Sequence, residues 1–573
     1  MGIPSYFMHI VRKYRNIIIP LDNAHSTKVD NLYMDCNGFV YNACKEMESD
    51  GPCIDVSDDK NHREFESMLI DLTCIRISEL IMSLNPSGKV IIAFDGVPPM
   101  AKIKQQRTRR SMASMDRLNM TNDTIRDKTT RNIGNNKQTN PNMKYWNTSA
   151  ITPGTKFMNK LDEVVREKFN NTNNNAFNVK QILVSGSDVS GEGEHKIFEY
   201  IRDTAEYHKT GNTVIYGMDA DLIMLSLNHV QFAENIFLFR ETPEFIKQVD
   251  NTLCPNTLYL FDIRALGEKI KKELSNHTNT NTNTNTNNNI SDDVLYDYIF
   301  MCFMLGNDFL PHFPALNIRT DGITRLIGAY NTVFGPNSPL YENTLTTNKV
   351  INWSNVKRFI TYLSDHEYSY ISEEYNIRDR AQHNAMRIRG RSLADDRLNI
   401  PLKDRDIENY INPKMNGWEN RYYASLFNVM NSYNDVTDIC VNYLEGLEWV
   451  MSYYSTGCVN WEWVYKYNYP PLLKDLAHHT IDTTDIINNN SKYRFIVYKE
   501  KTTLTPLTQL SYVLPFDSLF LLPPAIKDLL LKTRPEWYIS HCKYHWSFCK
   551  FLWEAHPLLP EINMDELKKI VIQ

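Results

Sequence analysis

Two pairs of carboxylates stand one residue apart within residues 185–227, SGSDVSGEGEHKIFEYIRDTAEYHKTGNTVIYGMDADLIMLSL: Glu192 with Glu194, then Asp219 with Asp221. Acidic pairs in loops are mostly solvated surface. These pairs instead adjoin apolar strand and helix patterns, and Gly191, Gly193 and Gly217 let the backbone approach closely. Clustered carboxylates repel one another and are costly to bury without cations. Hard oxygen donors, with no Cys or His at ligand spacing, favour Mg²⁺ or Mn²⁺ over Zn²⁺. Such a cluster suits two ions about 4 Å apart that clamp the attacking and leaving oxygens of a phosphodiester. The expected chemistry is metal-dependent hydrolysis of nucleic acid.

The elements that must position these acids can be read from the hydrophobic pattern. VIYG at 214–217 reads as a short buried strand that delivers Asp219 and Asp221 to the C-terminal edge of a parallel sheet, where open α/β sheets bind ligands. A strand at 32–34 ends on Asp35, and KVIIAFDG, uniformly apolar as a strand buried on two faces should be, ends at Asp95. A helical pattern at 65–82 joins those two strands into a βαβ unit. A further helix at 294–305 is apolar nearly all round, stops at Gly306 and sets Asp308 on the next turn. Seven carboxylates are then candidates for one site.

Net charge is −6, but residues 102–110, KIKQQRTRR, hold five cations and no acid. A local patch rather than the mean charge is what binds phosphate. Lys102, Gln106, Arg109 and Arg110 fall at i, i+4, i+7 and i+8, on one helical face, where they could converge on a single anion. At 573 residues, with 42% apolar and 23% charged residues, the chain is globular and exceeds one core. No apolar run approaches the length of a membrane span and no signal pattern opens the chain, so no membrane partner and an intracellular address are expected. Ten cysteines without a C-x-x-C pair argue against a zinc module or a disulfide framework and fit a cytoplasmic location, with a nuclear one left open.

Residues 111–146 are polar and Asn/Thr-rich and read as a mobile insertion, and 170–175 and 277–289 as low-complexity loops. The pattern at 235–240 is a strand, and LYLFDIRALGEKI a strand followed by a helix. From residue 321 the organisation changes to a helical, aromatic-rich region, including a helix over 363–391 that ends in Arg387, Arg389 and Arg391. Most of its aromatics should pack cores, and a minority could stack bases. The division expected is a nuclease domain at 1–320 and a second, mainly helical region at 321–573.

Strings along nearly the whole chain resemble one family, the eukaryotic-type 5′→3′ exoribonucleases (XRN). They are MGIP, MDCNGFVYN, AFDGVPPMAKIKQQRTRR, GTKFM, GEGEHKI, GMDADLIMLSL and LGNDFLPHFPAL, then WENRYY, YLEGLEWVMSYYSTGCVNWEWVYKYNYPPLLKDL and PLTQLSYVLP. The resemblance implies an α/β fold with a PIN/flap-endonuclease-like core around a mostly parallel sheet, closed over by the helical second region. It implies that Asp35, Asp95, Glu192, Glu194, Asp219, Asp221 and Asp308 hold two Mg²⁺ or Mn²⁺ ions. It implies that Lys102, Gln106, Arg109 and Arg110 bind a terminal 5′-monophosphate, and that a monomer processively degrades single-stranded RNA to nucleoside 5′-monophosphates. Tyr41 stands where the family usually has a base-stacking His, and Trp553 is the candidate stacking partner from the second region. Ser190 replaces a Pro before GEGEH, and the chain ends at Gln573 without the long extension of the cytoplasmic members, so protein partners stay unknown. Two rival readings, a flap-type structure-specific endonuclease and a catalytically silent RNA-binding scaffold, predict a helix-hairpin-helix after Asp308 and lost acids respectively.

Overall fold

Short apolar runs become the strands of one seven-stranded sheet in the computed structural model: β1 (Ile18–Pro20), β2 (Asn31–Asp35), β3 (Lys89–Ala93), β4 (Gln181–Ser185), β5 (Asn212–Tyr216), β6 (Asn235–Arg240) and β7 (Tyr259–Asp262). The structure describes residues 2–572 except 4, 15, 22–27, 51–58, 131–145, 171–176, 218, 241–252, 255–256, 276–290, 336–337, 341–342, 388–396, 430–432 and 482–493; the side chains of 50, 59, 117–130 and 275 are also left out. The low-complexity stretches 170–175 and 277–289 lie outside the described residues apart from Asn170, as do Arg389 and Arg391.

Strand order is β1-β7-β6-β5-β2-β3-β4, with β2 to β6 mutually parallel and β7 antiparallel to both β6 and β1. The chain leaves β2 for β3 on one side and later places β5 on its other side. Strand β2 therefore lies at a topological switch point, the place where such sheets open a crevice beyond their C-terminal ends. The expected α/β class with a mostly parallel sheet is what is found.

Both faces of the sheet are covered, which explains the near-continuous apolar strands. Leu32, Met34, Val90, Ile92, Val214 and Tyr216 point into one core, shared with helices Asn37–Asp50, Asp59–Leu84 and Lys156–Asn170. Tyr33, Ile91 and Ile215 point into the other, shared with helices Gly193–Asp203, Asp221–Asn228 and Ile263–Ser275. That second core continues without a break into the helical half, through Leu310 and Phe313 to Tyr443, Trp449 and Tyr453. Among the described residues no helix is long and apolar enough to cross a membrane, and the described cysteines are free thiols.

The polar stretch expected as an insertion over 111–146 begins as helix: the basic helix runs unbroken over Met100–Thr130. Ser111, Met112, Ser114 and Met115 are buried on it, and Tyr544 donates a 2.9 Å contact to the Met115 sulfur. Tertiary burial of two methionines overrides a polar local composition there. Trp146, at the other end of the supposed insertion, is buried and packs edge-on against Phe157 with ring centres 4.9 Å apart.

Candidate active site

The parallel strands end in register, and their ends carry the acids. Asp35 pairs with Ala93, Ala93 with Ser185, and Met34 with Tyr216. Each acid therefore stands at or a few residues beyond one sheet edge: Asp35 on β2 itself, Asp95 after β3, Glu192 and Glu194 after β4, and Asp219 and Asp221 after β5. Glu192 is the residue before helix Gly193–Asp203 and Asp221 opens helix Asp221–Asn228, so two carboxylates also sit at helix N-termini, where the dipole favours negative charge. Asp308 arrives from the other half of the chain, two residues past the Gly306 turn (φ 86°) that ends helix Asp293–Phe303.

Glycines make the close packing possible. A Cβ at Gly193 would lie 2.7 Å from Asp35 Oδ1, and one at Gly2, which has φ 52°, would lie 1.8 Å from Asp221 Oδ1. Asp95 is fixed from three directions: Asn37 Nδ2 donates to its Oδ2 at 2.7 Å, the Gly193 N–H to its Oδ1 at 2.7 Å, and its own N–H reaches Asn37 Oδ1 at 3.2 Å.

Electrostatics shows the acids acting on one another. Burial first, then Asp95, Asp219 and Glu192, raise the Asp35 carboxyl well above its usual range. Burial, then Glu192 and Asp221, do the same to Glu194. Burial and Asp308 push Asp221 up to about 7. The counterweight is Lys102, whose Nζ lies 2.6 Å from Glu192 Oε2 and 2.8 Å from Asp308 Oδ2. Burial alone would lower that ammonium, but Asp308, Glu192, Glu194 and Asp221 raise it well above its ordinary value. Burial likewise raises Asp308, and Lys102 more than reverses the effect, so this one acid ends below the usual carboxylate range.

No three His, Cys, Asp or Glu side chains among the described residues already surround one point closely enough to hold an ion, and Lys102 supplies the positive charge instead. The donor set nonetheless fits divalent cations. Every member is a hard oxygen, and Asp35 Oδ1 and Glu194 Oε2 are buried with no hydrogen-bond partner. An unpartnered buried carboxylate oxygen costs free energy that an ion would offset.

The basic helix borders this cluster, and its side chains divide their work. Lys102 faces the carboxylates, whereas Gln106 Oε1 accepts a 3.0 Å hydrogen bond from Gln509 Nε2. Arg110 Nη2 reaches the Ile151 carbonyl at 3.4 Å, while its Nη1 is buried without a partner. Burial pushes the Arg110 guanidinium down to about 10, with Tyr41, Arg109 and Asp95 the charged or titratable groups that act on it next. Arg109 is exposed. The helix is pinned by the second region: Met100 N–H donates to the Trp461 carbonyl at 2.8 Å and Lys104 Nζ to the Tyr465 carbonyl at 2.8 Å. Of the two candidate stacking rings, Tyr41 is 44% exposed, and Trp553 is 47% exposed with one face on Phe551, ring centres 4.1 Å apart.

Four contributors were not singled out from sequence: Gly2, Asn37, Tyr453 and Gln509. Tyr453 OH donates to Glu192 Oε1 at 2.7 Å and its ring stacks on His195 at 3.7 Å. Each lies inside a string that carries the family resemblance, and that similarity is the only signal by which sequence could have found them.

Comparison with known proteins agrees with this geometry. The model described as "XRN 5'-3' exonuclease N-terminus" matches residues 1–242, and that described as "Xrn1 helical domain" matches 288–405 and 390–571. The chain is 26% identical over its whole length to the 5'-3' exoribonuclease 2 homolog of Drosophila melanogaster, of which it covers 71%. It is 27% identical to 5'-3' exoribonuclease 1 of Homo sapiens, with 99% of this chain and 34% of that protein aligned. For 5'-3' exoribonuclease 1 of Saccharomyces cerevisiae the identity is 24%, with 92% of this chain and 40% of that protein aligned. With both halves matched in order and the sheet-edge acids in place, the chain belongs to the XRN 5′-3′ exonuclease family.

Proposed function

We propose that this protein is a 5′→3′ exoribonuclease that processively hydrolyses single-stranded RNA bearing a 5′-monophosphate and releases nucleoside 5′-monophosphates. The observation that carries the reading is the junction of two unlike charges. Seven carboxylates gather at the sheet's switch point, and the helix beside them offers Lys102, Gln106, Arg109 and Arg110, with one buried guanidinium N–H of Arg110 unpartnered. The relatives' names supply the substrate class and direction.

Asp35, Asp95, Glu192, Glu194, Asp219, Asp221 and Asp308 would hold two Mg²⁺ or Mn²⁺ ions. When bound, these supply Lewis acidity toward the attacking and leaving oxygens of the phosphodiester. The chain's own residues do the rest. Arg110 and Arg109 offer guanidinium forks matched to a terminal phosphate. Lys102, on that same helix, turns its ammonium onto the carboxylates, so its charge serves both the acids and an arriving phosphate. Tyr41 and Trp553 present exposed ring faces on which unstacked bases can rest, a contact worth about 1–3 kcal/mol per base. A single strand threads such a crevice and a duplex does not, so unwinding accompanies advance. A monomer acting in the cytoplasm belongs to the same reading.

The test is one RNA prepared with a 5′-monophosphate, a 5′-hydroxyl or a cap, each incubated with the protein and Mg²⁺. Mononucleotide release from the monophosphate form alone is expected. Equal cleavage of all three would overturn the 5′-end specificity.

A further inference from the structure

Gln509 is completely buried, on the short helix Pro506–Val513 of the second region. Its Nε2 donates to Gln106 Oε1 at 3.0 Å, and its own Oε1 is buried with no partner. The short helix is anchored at several points. Thr505 caps it through the Thr508 N–H at 3.1 Å, Tyr538 OH donates to the Ser511 carbonyl at 2.9 Å, and Pro506 packs so tightly on Gly154 that a Cβ there would lie 2.8 Å away.

A carboxamide presents either a carbonyl or an NH₂ to what lies beyond it, and its terminal torsion is soft and roughly two-fold. A terminal phosphate can only accept from this group, so a glutamine in its pocket helps in one orientation and repels in the other. By occupying the Gln106 carbonyl, Gln509 leaves Gln106 with its NH₂ as the group to offer. We propose that Gln509 is a specificity-determining, positioning residue of the 5′-end pocket: it fixes the Gln106 carboxamide so that the pocket presents donors alone to the terminal phosphate. The inference rests on the 5′-monophosphate reading above and extends it to a residue 403 positions from its partner. It also gives the helical region a part in substrate selection.

The test is binding without chemistry. Affinities for a 3′-labelled RNA decamer with either a 5′-monophosphate or a 5′-hydroxyl are measured by fluorescence anisotropy in EDTA, for the wild type, Gln106→Leu, Gln509→Leu and the double variant. A hydrogen bond to a charged group justifies a loss of about tenfold in the ratio of the two affinities for Gln509→Leu. The same loss is expected in Gln106→Leu, and no further loss in the double variant, since the two act as one unit. A wild-type ratio in Gln509→Leu, or losses that multiply in the double variant, would overturn the inference while leaving the reading of the pocket intact. Equal wild-type affinity for the two RNAs would instead overturn that reading. Gln509→Glu gives a second route if the Leu variant does not fold. Its carboxylate accepts only, so it draws the Gln106 NH₂ toward itself and should lower the ratio at least as far; an unchanged ratio there counts against the inference.

Discussion

Tyr453 donates its hydroxyl to Glu192 Oε1 at 2.7 Å across a separation of 261 residues, joining the helical region directly to an acid of the site. The other oxygen of Glu192 meets Lys102 at 2.6 Å, so the carboxylate is held at both ends. Tyr453→Phe removes one hold and keeps the ring stacked on His195. A hydrogen bond to a charged group is worth about 1.5–3 kcal/mol, which predicts a fall in kcat of about 10- to 100-fold. RNA affinity should change little, and the Mg²⁺ concentration at half-maximal rate should rise. Single-turnover kinetics against Mg²⁺ concentration checks this, and a parallel loss of RNA binding would point to simple unfolding.

Gly193→Ala is predicted to disable catalysis without unfolding the protein. The added methyl would sit 2.7 Å from Asp35 Oδ1 and 3.2 Å from the Ala93 carbonyl, so Asp35 must move. A displacement near 1 Å in a catalytic constellation costs about 100-fold. Gly193 has no positive φ and opens a helix, where Ala is favoured over Gly by up to about 1 kcal/mol. A melting temperature near the wild type's, together with the lost rate, is the expected pair of results.

Metal and pH should be linked in stability. The Asp221 carboxyl lies at about 7 in the fold against 3.8 unfolded, because of burial and Asp308. A carboxyl raised in this way contributes stability that is full below the unfolded value and is lost as pH rises through the folded one. Asp35 and Glu194 are displaced in the same direction. Melting in EDTA should therefore worsen between about pH 4 and 7. Mg²⁺ at a hundredfold excess over its Kd should restore about 2.7 kcal/mol at the upper end. Coincident curves with and without Mg²⁺ would contradict a cation site here.

A separate prediction concerns the helical half alone. Glu408 is buried and accepts from Arg378 Nε at 2.8 Å, Arg378 Nη2 and Arg405 Nε at 2.6 Å, and the Phe548 N–H at 2.8 Å. It ties helices Trp353–Arg387 and Asp406–Ile411 to the segment that leads to Trp553. Glu408→Ala leaves the buried Arg378 guanidinium without its paired carboxylate and the buried Arg405 with Asp379 alone, a change expected to cost about 3–5 kcal/mol. Chemical denaturation measures it, and a change under 1 kcal/mol would show that the cluster relaxes freely.

The acids at Asp35, Asp95, Asp219 and Asp221 could be placed from sequence because a parallel strand buried on two faces is a local signal and its C-terminal end follows from it. The helix of Lys102 was equally visible through its spacing, yet the destination of each side chain was not. Spacing put Lys102, Gln106, Arg109 and Arg110 on one anion, and the fold turns the Lys102 ammonium onto Glu192 and Asp308. Tyr453 and Gln509 were hidden for the same reason: each acts through a partner hundreds of residues away, and nothing in the local pattern of an aromatic-rich helix separates a core Tyr from one that grips a carboxylate. The continuation of the basic helix past residue 111 is not legible locally because the buried Met115 finds its partner, Tyr544, only in a distant segment.

Hydrolysis of RNA from a free 5′ end by the carboxylate cluster is tested most directly on one molecule in two forms. One RNA sequence, prepared as a linear 5′-monophosphate with a 3′ label and as a covalently closed circle, should be incubated with Mg²⁺ and either the wild type or Asp219→Ala. The wild type is expected to consume the linear form to nucleoside 5′-monophosphates without internal fragments and to leave the circle whole, while Asp219→Ala leaves both intact. Cleavage of the circle, or mononucleotide release by Asp219→Ala at the wild-type rate, would rule out hydrolysis from a free 5′ end by this cluster.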